Sequence, residues 1–150
     1  MSMIRIATEA DIPAVVKLFH DYYQTSTVPH DFDDDKMTAF LTDRLKNQQA
    51  GLLVGVADDQ VVAFALLYVT QNTRDLGPQV IINDVFVAAA YRRRGIARQL
   101  MTASFNWGRQ HGARHVTWQT RTTNAAAQPL YDQLGQRESG WIHYDHDLPD

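Results

Sequence analysis

Residues Val80–Gln110 constrain the fold more than any other stretch of this chain. Val80–Val87 is a hydrophobic run rich in β-branched residues, of a length that suits a buried strand. It leads through Tyr91-Arg92-Arg93-Arg94-Gly95-Ile96-Ala97-Arg98 into a segment where Ile96, Leu100, Ala103 and Trp107 recur at spacings of four, three and four. That is the period of an amphipathic helix, which Gly112 stops. A strand feeding a helix through a short loop opens a β–α–β crossover, so part of the sheet is parallel and a helix lies across it.

The rest of the chain adds hairpins to that crossover. Ile4–Ala7 reads as a first strand, and Thr8 with Asp11 makes a capping box for a helix to about Tyr23 whose apolar face is Val15, Leu18, Phe19 and Tyr22. A loop with Pro29 follows, and Asp33–Asp35 opens a second helix carrying Met37, Phe40, Leu41 and Leu45. Leu52–Ala57 and Val61–Thr70 read as strands joined by a turn at Asp58-Asp59, and Asn72–Pro78 is turn-rich. After the long helix, His115–Thr120 is a strand and Asn124–Leu134 a helix ended by Gly135, with Pro129 able to delay its start. Trp141–Asp147 alternates as a last strand. The order βααβββαβαβ predicts an α/β chain of the mixed α+β kind, with a mixed central β-sheet and helices on both faces.

The 150 residues contain no repeat or linker, so a single domain over 1–150 is expected. With 45% hydrophobic and 21% charged residues, disorder and coiled coil are excluded. No apolar run reaches the roughly 18 residues of a membrane helix. Met1-Ser2-Met3-Ile4-Arg5 does not begin a secretory leader, and cysteine is absent, so the simplest expectation is a cytoplasmic protein without disulfides, thiolate metal sites or a cysteine nucleophile. His111 with His115, and His143 with His146, do not converge with a third ligand, so no metal is expected.

The net charge of −3 disfavours nucleic acid as a partner, but the charges are clustered. Four of the 14 basic residues lie in Arg92–Arg98, and four acids lie in Asp31–Asp35. Arg92–Arg94 before a helix start at Gly95-Ile96-Ala97 form an anion cradle. The first helical N–H groups are unpaired, the dipole end is positive, and small residues let a phosphate approach the backbone. The segment lacks the Gly-Lys-Ser/Thr of a P-loop and the three glycines of a dinucleotide fingerprint.

Two linked motifs carry a family resemblance. Arg92-Arg93-Arg94-Gly95-Ile96-Ala97 follows a strand and opens a helix. One helix and one strand later comes Asn124, with Tyr131 seven residues on and then Leu134-Gly135. At this separation the pair resembles the signature of the GNAT superfamily of acyl-CoA-dependent N-acetyltransferases, and the likeness extends from Ile4-Arg5 to Trp141–Asp147. The Asn124–Tyr131 spacing and Gly140-Trp141 are most similar to the diamine (spermidine/spermine-type) acetyltransferases, although Gln136–Ser139 lacks the usual aromatic after Leu-Gly.

The resemblance implies a GNAT fold, acetyl-CoA as cosubstrate and transfer of acetyl to a primary amine by direct attack. A small polyamine-like or lysine-like acceptor is favoured. It implies that the backbones of Phe86 and Val87 bond the pantetheine arm, and that Arg93, Arg94, Gly95, Ile96, Ala97 and Arg98, with Arg92 nearby, hold the pyrophosphate. Asn124 would bond the cosubstrate from the far side of a splayed strand pair. Tyr131 would serve the leaving thiolate, and Asp84 is the candidate base that takes the proton of the incoming ammonium. Asp31–Asp35 could form an acidic lip for a cationic acceptor, with Tyr22, Tyr23, Trp118 and Trp141 as candidate groove residues. A homodimer is expected from the resemblance and from the edge that the final strand would offer. A non-catalytic acyl-CoA-binding sensory or regulatory module, and acetylation of protein N-termini or lysines, are the alternatives. A nucleic-acid contact through Arg92–Arg98 is disfavoured, because no aromatics interleave those arginines.

Overall fold

A computed structural model describes residues 2–26 and 31–149; the loop at Pro29 lies outside them. The chain forms two compact units, residues 1–119 and residues 120–150.

In the first unit, β1 (Ser2–Ile6), β2 (Gly51–Ala57), β3 (Gln60–Asn72), β4 (Gly77–Val87) and β5 (Val116–Thr117) form one sheet in that order. All neighbours are antiparallel except β4 and β5, which the crossover helix α3 (Ile96–Gln110) makes parallel. The sheet is therefore mixed, as the sequence implies. The β2–β3 turn is the expected Asp58-Asp59, whose φ angles of 51° and 60° match the right-handed twist of the strands it joins. β4 starts earlier than its apolar run, because Gly77 and Pro78 pair with Asn72 and Gln71. Proline is tolerated there, close to the start of a strand.

Helices cover both faces of this sheet. α1 (Ile12–Gln24) and α2 (Asp34–Lys46) share a core with Leu52, Val54, Phe64, Leu66 and Phe86. α3 packs on the other face, where a side chain at Gly55 would meet Ala63, Ile96 and Ile4 within 3.4 Å. Its buried residues are Ile96, Leu100, Met101, Ser104 and Gly108, so the expected stripe through Ala103 and Trp107 is rotated. Those two are half-buried. The indole of Trp107 lies along the Gly51 backbone, where a Cβ would sit 2.5 Å from the ring. Phe40 of α2 is 42% exposed, contrary to the expected apolar face, and carries the Arg44 guanidinium 4.6 Å above its ring.

The entry to α1 is a 3-10 turn at Glu9–Asp11. The Thr8 N–H donates to the Asp11 carboxylate at 2.8 Å, the reciprocal half of the capping box. Arg5 of β1 grips the same carboxylate with two bonds of 2.7 and 2.9 Å. The hydrogen bond from Arg5 is the main cause that lowers the Asp11 pKa from 3.8 to about 2. A carboxylate held more acidic in the folded state contributes stability above its unfolded pKa and loses it as pH falls from 3.8 through about 2. Because Arg5 is 39% exposed, solvent screening trims the effect. Asp11→Asn is expected to cost about 1–2 kcal/mol near neutral pH. Urea unfolding of both proteins at descending pH checks this, and the difference should shrink as Asp11 protonates.

The second unit contains α4 (Gln128–Leu134) and an extended segment after it. The expected helix at Asn124 is corrected here: Pro129 stands in the first turn and the helix begins at Gln128, leaving Asn124 in the preceding turn. Gly135 ends the helix, its N–H donating to Tyr131 O at 2.9 Å. Arg137 bonds Asp132 at 2.7 and 2.9 Å and Gln128 at 3.1 Å, tying the following residues to α4. Two strand expectations are also corrected. His115–Thr120 shrinks to Val116–Thr117, and Trp141–Asp147 forms no strand. Trp141, Ile142 and Tyr144 are 72–85% exposed, so alternation marked two faces without supplying a ladder partner. The strand edge expected to support a dimer is therefore not formed.

Candidate acyl-transfer site

The site begins at a β-bulge. Leu66 and Leu67 of β3 are consecutive, but their partners on β4 are Asp84 and Ile82, so Asn83 is the extra residue. Beyond the bulge, Asp84 and Phe86 stand opposite Leu66 and Phe64 and share their face, the one covered by α1. Without the extra residue, Asp84 would point to the α3 side.

The other edge of β4 is open along this length. β5 pairs only with Val80 and Ile81, so among the described residues of this unit β4 has no strand partner there from Ile82 to Val87. The Ala88 N–H donates to Val62 O of the β3 side at 2.8 Å. Main-chain directions alternate along a strand, so the groups of Phe86 also turn to β3, while those of Val85 and Val87 face the open edge. The Val87 carbonyl accepts a 3.0 Å bond from Arg92 Nε, and the Arg92 guanidinium lies 5.5 Å from the centre of the Phe86 ring.

The chain then turns through Ala89–Tyr91 into the arginine loop. Arg93 (φ 64°) and Gly95 (φ 80°) are both left-handed, a backbone shape that curls successive N–H groups toward one point. Gly95 holds the N-cap position of α3, no side chain caps that end, and a Cβ at Gly95 would meet nothing within 4 Å. The space in front of the first α3 N–H groups is thus clear for an anion. Arg92, Arg93, Arg94 and Arg98 are exposed around it, and Ile96 anchors the turn at 2% exposure. The Tyr91 hydroxyl bonds Asp58 at 3.1 Å and its ring carries Arg94 at 5.0 Å, which ties the loop to the β2–β3 turn.

On the α1 face, Asp84 is half-buried, and Asn83 Nδ2 donates to its Oδ2 at 2.8 Å. Burial pushes the Asp84 pKa up, partly offset by that bond. The phenols of Tyr23 and Tyr68 are raised by burial first and then by the charge of Asp84, which places all three groups in one neighbourhood. Tyr22 meets Phe86 edge to face at 5.3 Å and Tyr23 at 5.5 Å, so the carboxylate stands beside an aromatic wall. Asp31–Asp35 is spent differently: Asp33 caps α2 by accepting from the Lys36 N–H at 3.0 Å, and Asp34 faces His20 at 3.4 Å. Trp118 packs on Phe105 at 5.6 Å. In the second unit, Asn124 is exposed and donates to Thr120 Oγ1 at 3.0 Å, while Tyr131 is half-buried on α4.

Sequence reasoning missed Asn83, which bonds Asp84, and Tyr68, whose phenol shares its neighbourhood. A bulge leaves no periodic signal of its own, and Tyr68 reads as one more apolar residue of β3. No group of three or more His, Asp or Glu among the described residues could hold a metal ion, and no helix among them is long and apolar enough to cross a membrane.

The acetyltransferase (GNAT) family model matches residues 12–136. The chain is 31% identical over 147 residues to the uncharacterized N-acetyltransferase YhfO of Bacillus subtilis, covering 97% of each. It is 28% identical to aminoglycoside N(6')-acetyltransferase type 1 of Salmonella typhimurium, over 71% of this chain and 75% of that protein. Among solved structures, a probable acetyltransferase superposes with a TM-score of 0.82 at 25% identity over 99% of both chains. A predicted acetyltransferase of Clostridium acetobutylicum, solved with acetyl-CoA, gives 0.81 at 17% identity over 97% and 96%. The chain belongs to the GNAT family of acetyltransferases and is an acyltransferase.

Proposed function

We propose that this protein transfers acetyl from acetyl-CoA to the primary amine of a small polyamine-like or lysine-like acceptor. The observation that carries the reading is the open edge of β4 running into the clear helix start at Gly95, with Asp84 on the adjoining face. An extended pantetheine arm is peptide-like and pairs with the edge groups of Val85 and Val87. Phe86 contributes its ring to the acceptor wall rather than its main chain. Arg93, Arg94, Gly95, Ile96, Ala97 and Arg98 hold the pyrophosphate, with Arg92 beside them.

Asp84 takes the ammonium proton, since a carboxylate made more basic by burial is a better acceptor at neutral pH. The Val87 N–H, on the open edge, polarises the carbonyl under attack. Asn124 bonds the cosubstrate, and Tyr131 donates to the leaving sulfur. A phenol is a weaker acid than a thiol by roughly 2 kcal/mol in reference terms, so Tyr131 hydrogen-bonds or transfers its proton in concert rather than ionising first. Both units act as one domain, which the family match across residue 119 supports. A cytoplasmic homodimer belongs to the same reading. The exposed Trp141, Ile142, Tyr144 and Leu148 are apolar surface for a second copy to cover.

Because the chain has no cysteine, CoA thiol released on turnover can be read with a disulfide reagent free of protein background. Spermidine, diaminopropane, lysine analogues, a basic peptide and an aminoglycoside make the panel. The aminoglycoside is included because a relative is named for that acceptor. Turnover with a small amine, reduced about 10²-fold in Tyr131→Phe, is expected. Absence of CoA binding overturns the reading, and CoA binding without turnover on any amine favours a sensory module.

A further inference from the structure

Arg92 holds the very edge of β4 on which the acyl-donor reading depends. β4 ends at Val87, and the 3-10 turn Ala89–Tyr91 reverses the chain at once, with the Tyr91 N–H bonded to Ala88 O at 2.9 Å. Arg92 itself is extended (φ −72°, ψ 159°), and its side chain runs back to donate from Nε to the Val87 carbonyl at 3.0 Å. The guanidinium carbon stands 5.5 Å from the centre of the Phe86 ring, which Tyr22 meets from the α1 side. The charge therefore lies where the open edge meets the aromatic wall. Arg93, next along, is left-handed and turns the chain toward Gly95.

The Val87 carbonyl has a second claimant. The Ala88 N–H points to Val62 on the β3 side, so the N–H and C=O of Val87 both point away from β3. An extended chain that pairs with this edge lies about 4.8 Å from β4 and sets its amide hydrogens on such carbonyls. The Arg92 donor nitrogen, 3.0 Å from the oxygen, stands within that spacing. A pantetheine amide and the Arg92 guanidinium thus compete for one acceptor, and a displaced guanidinium needs another partner. Phosphate serves it better than water does, through charge-assisted and bidentate bonds. The N-cap of α3 at Gly95, where a diphosphate is read to sit, lies only three residues beyond Arg92.

We propose that Arg92 is a latch on the acyl-donor edge, released by the diphosphate of CoA, and that it selects CoA over thioester carriers that end at pantetheine. This role rests on the acetyltransferase reading and sharpens the identity of its donor. Binding of CoA moves Arg92 from the Val87 carbonyl to the diphosphate, so the arm and the phosphates help each other to bind. Bare pantetheine must break the Arg92 bond and leaves the guanidinium to water. Arg92 determines donor specificity and takes no part in proton transfer.

Calorimetric titration of CoA and of pantetheine into the wild type, Arg92→Ala and Arg92→Lys tests the latch. Arg92→Ala should bind pantetheine about tenfold more tightly than the wild type does, the worth of one charge-assisted bond, and CoA more weakly. Opposite signs for the two ligands are the signature. Arg92→Lys keeps the charge for phosphate but loses the fork that holds Val87, so it should also gain pantetheine affinity while retaining more of that for CoA. A residue that only held phosphate would leave pantetheine binding unchanged, and a purely structural one would weaken both ligands. Either result overturns the proposal and leaves the acetyltransferase reading standing. Melting curves report the folding of each variant, and Arg92→Lys decides if Arg92→Ala does not fold. A wild type that binds no CoA sinks both readings.

Discussion

Replacing Asp84 with asparagine is expected to lower kcat for amine acetylation by roughly 10²–10⁴-fold, the span associated with a positioned general base. The same change should raise Tm. Burial lifts the Asp84 pKa, so the folded protein disfavours the charged carboxylate and gives up stability to keep it. The sign is opposite to that of Asp11. For a carboxylate raised in the folded state, the stabilisation is complete below its unfolded pKa and is lost as pH rises through the higher folded value. In the wild type, kcat should climb with pH through an inflection above the usual carboxylate range. In Asp84→Asn the inflection should disappear while acetyl-CoA binding persists, because Asp84 faces the α1 side and the cosubstrate reading uses the β4 edge and the Gly95 loop. Rate-against-pH profiles with calorimetric melting check both halves. A variant within tenfold of wild type would remove Asp84 from the chemistry and leave a water chain as the base.

Phe64→Ala should be the most damaging core substitution, at about 3–5 kcal/mol. Phe64 has 0% exposure, packs on Phe19 at 4.3 Å and stands 6.4 Å from Phe86, its partner across the strands. Such a loss is a large part of the roughly 5–15 kcal/mol that holds a typical domain together. Urea unfolding measures it directly. The consequence for activity follows from position: Phe86 forms the aromatic wall with Tyr22, so removing its support should raise the acceptor KM more than that of acetyl-CoA. Phe64→Leu, which keeps most of the volume, should cost less on both counts. A loss below about 1 kcal/mol would mean that α1 collapses onto the gap.

Local chemistry was readable in the sequence wherever one segment sufficed. Thr8 and Asp11, Asp33 at the start of α2, the Asp58-Asp59 turn and Gly95 before α3 all do what their residue types suit, because each acts on backbone within a few positions. Periodicity likewise placed α1, α3 and the three long strands. It erred on α3, where Ala103 and Trp107 were expected inside, because a four-three-four spacing is satisfied by adjacent stripes of one helix. Close approach at Gly51 and Gly108 chose between them. The helix expected at Asn124 begins late because Pro129 has no N–H to donate back into a preceding turn and so fits only in the first turn of the helix.

The sequence by itself determined which residues could do chemistry: the arginines before Gly95, Asp84, and Tyr131 in its frame with Asn124. Only the tertiary structure decided which way Asp84 faces, since a single bulged residue at Asn83 reverses every side chain after it and leaves no mark on composition. Tertiary structure alone also ended β5 after two residues, which leaves β4 without a strand partner on that edge from Ile82 to Val87 among the described residues of its unit, and Trp141–Asp147 forms no strand. Alternation records which face a side chain prefers, whereas pairing requires another strand at about 4.8 Å, and that neighbour is supplied by the fold.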